Sequence, residues 1–107
     1  MEGWDNLALG NSSHAEGHLS QAIGDWSHAE GYSTASGQYS HAEGSSTASG
    51  NDSHAEGAGT QATGPRSHAE GNSTIASGNN SHSEGYSTKA TNGQSHAEGA
   101  ETQSAGK

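Results

Sequence analysis

Small and large polar residues alternate along most of this chain, and alanine fills most of the apolar positions. In residues 53–57 (SHAEG), Ser and Ala share one face of an extended strand and His and Glu the other, because side chains alternate across a strand. Glycine recurs about every seven residues, which costs a helix about 1 kcal/mol per Gly relative to Ala. The pattern therefore predicts short strands bounded by glycine corners.

A repeat organises these segments. SHAEG, or its one variant, occurs seven times, with His spacings of 14, 13, 13, 14, 14 and 14. The second half of each turn reads approximately T-x-A-S-G, as in residues 74–78, so each turn has two strands and two corners. This predicts an all-β fold, a parallel β-solenoid with 13–14-residue turns. We expect one repeat domain over residues 1–107, with a less regular N-terminal turn at 1–12 and the SHAEG repeats at 13–106.

The interior of such a small coil must be narrow, so we expect the small residues inside. The motif Ser and Ala would point inward, and the variable second-half residues such as Gln61 would face water. The inward threonines are expected to be Thr34, Thr47, Thr60, Thr74, Thr88 and Thr102. We expect the 13-residue turns to be shortened in their second half. We also expect each recurring Gly to be a left-handed corner, because Asn92 replaces one of them and Asn tolerates positive φ.

The motif His and Glu would form an outward column on the opposite face. Its members are His14, Glu16, His28, Glu30, His41, Glu43, His54, Glu56, His68, Glu70, His82, Glu84, His96 and Glu98. These residues do not vary between copies, whereas the joining residues do. An Ala/Ser interior buries little apolar area, and burial stabilises by only about 25 cal/mol per Å². We therefore expect the chain to gain further stability by association through this face.

Composition excludes several classes of function. The chain has no Cys, which excludes thiolate metal sites. It has three basic residues and a formal net charge of −9, which disfavours nucleic acid as a partner. No apolar run approaches the roughly 18 residues of a membrane helix, so we expect no membrane insertion by this segment.

Residues 7–13 (LALGNSS) and 20–24 (SQAIG) resemble the trimeric autotransporter adhesin (YadA-like) head repeat, and the SHAEG copies look like the same half with His and Glu in place of Val and Ile. SHAEG arrays also resemble segments of phage tail fibres and bacterial surface proteins. The resemblance implies a left-handed β-roll and a side-by-side homotrimer, with the His–Glu column facing the three-fold axis. It also implies an extracellular location, on a cell surface or a virion.

These observations favour a structural or adhesive fibre segment, the head or stalk of a trimeric surface adhesin or a phage tail fibre. Its partners would be further copies of itself and a host surface receptor. No catalytic role is assigned, since alternation places Ser and His on opposite faces of the strand and prevents a triad. No cofactor or metal is assigned either.

Two alternatives stay open, an ice- or ligand-binding solenoid suggested by the Thr column and a metal-loaded His/Glu fibre segment. In the metal-free interpretation, the column is a ladder of ion pairs, and assembly is expected to raise the pKa of His and lower that of Glu.

Overall fold

The chain forms an all-β parallel solenoid in which each turn adds one strand to each of two ladders. The computed structural model describes the backbone of residues 2–104 and the side chains of residues 5–104. The first halves of the turns form β1 (Glu2–Trp4), β3 (His14–His18), β5 (His28–Gly31), β9 (His68–Asn72), β11 (His82–Tyr86) and β13 (His96–Ala100). The second halves form β2 (Leu7–Ala8), β4 (Gln21–Ala22), β6 (Thr34–Ala35), β10 (Ile75–Ala76), β12 (Lys89–Ala90) and β14 (Gln103–Ser104). Two strands, β7 (His41–Ala48) and β8 (His54–Ala62), run through both halves.

Pairing places identical motif residues above one another. Between β8 and β9, for example, His54 pairs with His68, Ala55 with Ala69 and Glu56 with Glu70. The coil is flat, with principal extents of 38 × 21 × 10 Å. Over the described residues, no helix has the length and apolar character needed to cross a membrane.

Alanine and small hydroxyl residues fill the interior, as predicted. Twelve Ala, from Ala15 to Ala97, are at most 4% exposed. The motif serines stabilise one corner of each turn, because their hydroxyls donate to the carbonyl three residues earlier, as Ser53 does to Gly50 at 2.6 Å. Thr74 stabilises the other corner by donating to the Glu70 carbonyl at 3.2 Å. Interior hydroxyls thus satisfy backbone groups that a purely apolar core would leave unpaired.

The 13-residue turns differ from the prediction. Ser33 and Ser46 occupy the inward position, while Thr34 and Thr47 are only half-buried. Thr34 pairs with Gln21, a residue of the exposed column. The missing residue comes from the first corner, so the second half keeps its full length. The prediction that Thr34 and Thr47 point inward is therefore wrong. Thr102 occupies the predicted inward position, because its hydroxyl donates to the Glu98 carbonyl at 3.0 Å as that of Thr74 does to Glu70. It is exposed because it lies in the last described turn.

The two glycine corners have different physical causes. Gly57, in the first corner, has a φ of 115°, and a Cβ there would collide with the Gly71 carbonyl. Gly64, in the second corner, does not have a positive φ, and the left-handed residue is Arg66 at 55°. A Cβ at Gly64 would instead collide with the backbone of the next turn. The expected left-handed Gly is therefore right for the first corner and wrong for the second, where Asn92 also lacks a positive φ.

Candidate functional site

The motif His and Glu form one continuous column on the outer face of the first ladder. Alternation along each strand directs them away from the buried Ala between them, as the sequence predicts. In the central turns, from His28 to His82, the imidazole side chains are 36–39% exposed. We call this column, from His14 to Glu98, the His–Glu ladder. The structure thus brings all fourteen predicted residues into one surface.

Each imidazole contacts a carboxylate of its own turn, and from His28 to His96 each also approaches the carboxylate of the turn before. His54 Nε2 lies 2.9 Å from Glu56 Oε1 and 4.0 Å from Glu43 Oε1. From His28 to His96, the distance to the carboxylate of the same turn is 2.9–3.3 Å and that to the carboxylate of the turn before is 3.7–4.0 Å. From His28 to His96, successive rings stack nearly parallel, with centroids 4.7 Å apart and interplanar angles of 1–8°.

Close approach does not produce regular hydrogen bonds. His14 Nε2 is hydrogen-bonded to Glu16 Oε1 at 2.7 Å. In five other turns the Nε2 atom is shielded from solvent and has no hydrogen-bond partner, although a carboxylate oxygen lies beside it. These atoms belong to His28, His41, His54, His68 and His82. Each of these nitrogens nevertheless lies 2.9–3.2 Å from the carboxylate of its own turn, so the two groups are in ion-pair contact without hydrogen-bond geometry.

The surroundings of His68 oppose its protonation. The pKa of His68 is lowered from its ordinary value of 6.5, first by desolvation and then by the neighbouring His54 and His82. Attraction to Glu70 and Glu56 acts in the opposite direction and is outweighed. In the single chain, this direction is the reverse of the rise in His pKa that we expected on assembly.

The second-half face does not form a regular threonine array. Thr60, Thr74 and Thr88 are buried, and the outward column contains Gln, Thr, Ile and Lys. Ice binding through a flat row of Thr therefore has no basis in the described residues.

An aromatic cluster at the second corner was not predicted. Trp26 and Tyr39 occupy left-handed corner positions in successive turns, and their rings stack at 5.0 Å with an interplanar angle of 6°. Both are about half-exposed. The signal was present in the sequence, since nine of the eleven large apolar residues precede residue 40. At the opposite corner, a groove of about 330 Å³ is lined by Leu19, Gln21, Tyr32, Thr34 and residues 45–47, where two successive turns lack a residue.

Comparison with known proteins agrees with this geometry. Residues 55–81 match the family model of the YadA head domain repeat, in two copies. A search of curated proteins gave no match. YadA heads are structural domains of surface-exposed adhesins and in general form homotrimers. The resemblance to the YadA-like head repeat is therefore confirmed over residues 55–81, which match two copies of that repeat.

Proposed function

We propose that this chain, as one repeat domain over residues 1–107, is a rigid segment of a homotrimeric fibre on a cell surface or virion. In this assembly the His–Glu ladder faces the three-fold axis, and no residue has a catalytic role. One observation carries the proposal: the ladder repeats the same two residues in seven turns, yet its side chains remain about one-third or more exposed in a single chain.

The energetics of the single coil support association. The interior contains Ala, Ser and Thr, and its largest fully buried side chains are threonines. Such side chains bury little apolar area, and each buried Å² contributes only about 25 cal/mol. Ordering the backbone costs about 1–2 kcal/mol per residue. Packing three flat coils through one face adds buried area without enlarging the interior.

A head that contacts a receptor is favoured over a plain stalk by the Trp26–Tyr39 stack. Exposed, rigid aromatic pairs are typical anchors of binding surfaces. Beads coated with the W26S/Y39S variant should adhere to cultured host cells less than beads coated with the wild-type chain. Equal adhesion would contradict the receptor-facing role and leave the structural role unaffected.

Sedimentation of two matched charge variants tests the orientation of the assembly. Glu56→Arg places three cations in one layer of the proposed axis, whereas Gln61→Arg places the same charge on the outward second half of the same turn. The wild-type chain and Gln61→Arg should sediment as three chains, and Glu56→Arg as fewer. The measurements should span about pH 5–8, with and without divalent cations, because protons or cations can neutralise the carboxylates. A single-chain mass for the wild type under every condition would contradict the proposal, and loss of assembly by Gln61→Arg alone would contradict the orientation.

A further inference from the structure

The His–Glu ladder concentrates negative charge on one face. Seven of the twelve acidic residues lie in it, and the formal net charge with neutral His is −9. Successive turns are one strand spacing apart, so each carboxylate lies close to the carboxylates of the turns before and after it. Three such ladders around one axis would repel one another unless positive charge entered the column.

The ladder offers ligand atoms at distances that suit a metal ion. In the turns from His28 to His96, Nε2 and Oε1 of the same turn are 2.9–3.3 Å apart. Two atoms with that separation can both bind one ion at about 2.0–2.2 Å, the usual bond length of Zn²⁺ to imidazole nitrogen and carboxylate oxygen. His–Glu–His groups with all ligand atoms within 4.8 Å of one another recur along the column, as at His54, Glu56 and His68.

The five Nε2 atoms that have no hydrogen bond are the second observation. Each is shielded from solvent and lacks a hydrogen bond, while its carboxylate neighbour lies beside the ring nitrogen rather than in hydrogen-bonding geometry. A cation in front of Nε2 would satisfy that nitrogen and reach the adjacent oxygen at the same time. Neutral imidazole together with carboxylate is a ligand set that suits zinc and similar transition metals.

We propose that the His–Glu ladder binds divalent transition-metal ions of the zinc type, each held by a His Nε2 and a Glu Oε1 of one turn. Consecutive rings are parallel, so their in-plane lone pairs do not converge on a shared ion. Within one chain, each ion therefore takes its ligands from a single turn. In the assembly, a part of the inference that rests on the proposed trimer, the equivalent turns of the other two chains complete the coordination, and the ions offset the repulsion between carboxylates.

Zinc titration of the full chain, purified without a His tag and stripped with EDTA, tests this inference. Isothermal calorimetry should show zinc binding to the wild type. A variant with His41→Gln, His54→Gln and His68→Gln should bind fewer ions, with total affinity reduced at least about tenfold, because ligands themselves are lost. The single variant His68→Gln provides the same comparison if the triple variant does not fold. His18→Gln is the matched control, since His18 lies outside the ladder, and it should bind zinc like the wild type.

Sedimentation in zinc and in EDTA separates this inference from the proposed function. A three-chain mass that appears with zinc and declines in EDTA supports both. A three-chain mass in EDTA, from a wild type that binds no zinc, would overturn the metal site and leave the trimer intact. Zinc binding at the ladder of a chain that stays single would overturn the trimer and support the site. Unchanged zinc binding by the ladder variants would overturn the site.

Discussion

Substitution of Ala55 by Leu tests the narrow interior on which the fold depends. Ala55 is fully buried and pairs with Ala42 in the turn before and Ala69 in the turn after. The coil is only 10 Å across in its thinnest direction. Two strand layers fill that thickness, so three added carbons have no space to occupy. Leu must therefore push the two strand layers apart.

The expected cost follows from overpacking, which typically destabilises by about 1–3 kcal/mol. A chain of this length is stable by about 5–15 kcal/mol, so the loss is a substantial fraction. Each kcal/mol corresponds to about 4–8 °C in Tm for a domain of about this size. We therefore expect Ala55→Leu to lower Tm by about 4–24 °C.

Thermal unfolding followed by circular dichroism measures this difference, with Gln61→Leu as the control. Gln61 lies in the same strand, β8, but is exposed on the outward column. Its substitution adds an apolar side chain without entering the interior, so the change should stay within about 0.5 kcal/mol. Equal Tm losses for the two variants, or full tolerance of Ala55→Leu, would refute the assignment of inside and outside faces.

Three further predictions concern the corners and the ladder. Gly57→Ala should lower Tm more than Ala58→Gly, because only the first places a Cβ at positive φ and against the backbone of the next turn; equal losses in thermal unfolding would show that the corner is adaptable. Ser33→Ala should cost about 1 kcal/mol in urea unfolding, because the single proton of the inward hydroxyl is shared between the Glu30 and Ala42 carbonyls, whereas Thr34→Ala on the outward face should cost less. The reverse order would place Thr34 in the interior. In EDTA, the free energy of unfolding should be greatest above the unfolded His pKa of about 6.5 and decline as pH falls through the lowered folded pKa of His68. The variant His68→Gln should lose less of its stability as pH falls. An equal pH dependence in the wild type and this variant would contradict the direction of the pKa shift.

The sequence was sufficient to predict the solenoid and its inward alanines. Seven copies of one motif impose a period, and alternation along a strand then separates Ala55 from His54 and Glu56 without further information. The same two facts place every ladder residue on one surface.

The shortened corners were ambiguous because neighbouring residues are chemically equivalent. In the segments around Ser33 and Ser46, a Ser directly precedes a Thr, and either hydroxyl can fill the inward position. In a longer turn, the first corner contains a left-handed residue such as Ser73, and the turn around Tyr32 lacks this residue. Its absence places Ser33 rather than Thr34 in the inward position. A pattern of residue types contains no record of which of two similar positions was lost.

The side-chain geometry of the His–Glu ladder could not be predicted from the sequence. Spacing alone showed that His and Glu share a face, but not that the imidazoles stack at 4.7 Å with Nε2 atoms that make no hydrogen bond. The fall in the pKa of His68 arises first from partial burial and then from repulsion by the neighbouring imidazoles, and both depend on the folded arrangement rather than on residue order.

Solution mass by light scattering tests the central claim, assembly through the His–Glu ladder, most directly. Three chains of 10.7 kDa give 3 × 10.7, or about 32 kDa, and this account predicts that value for the zinc-loaded protein. A mass of 10.7 kDa in zinc and in EDTA alike would contradict the account.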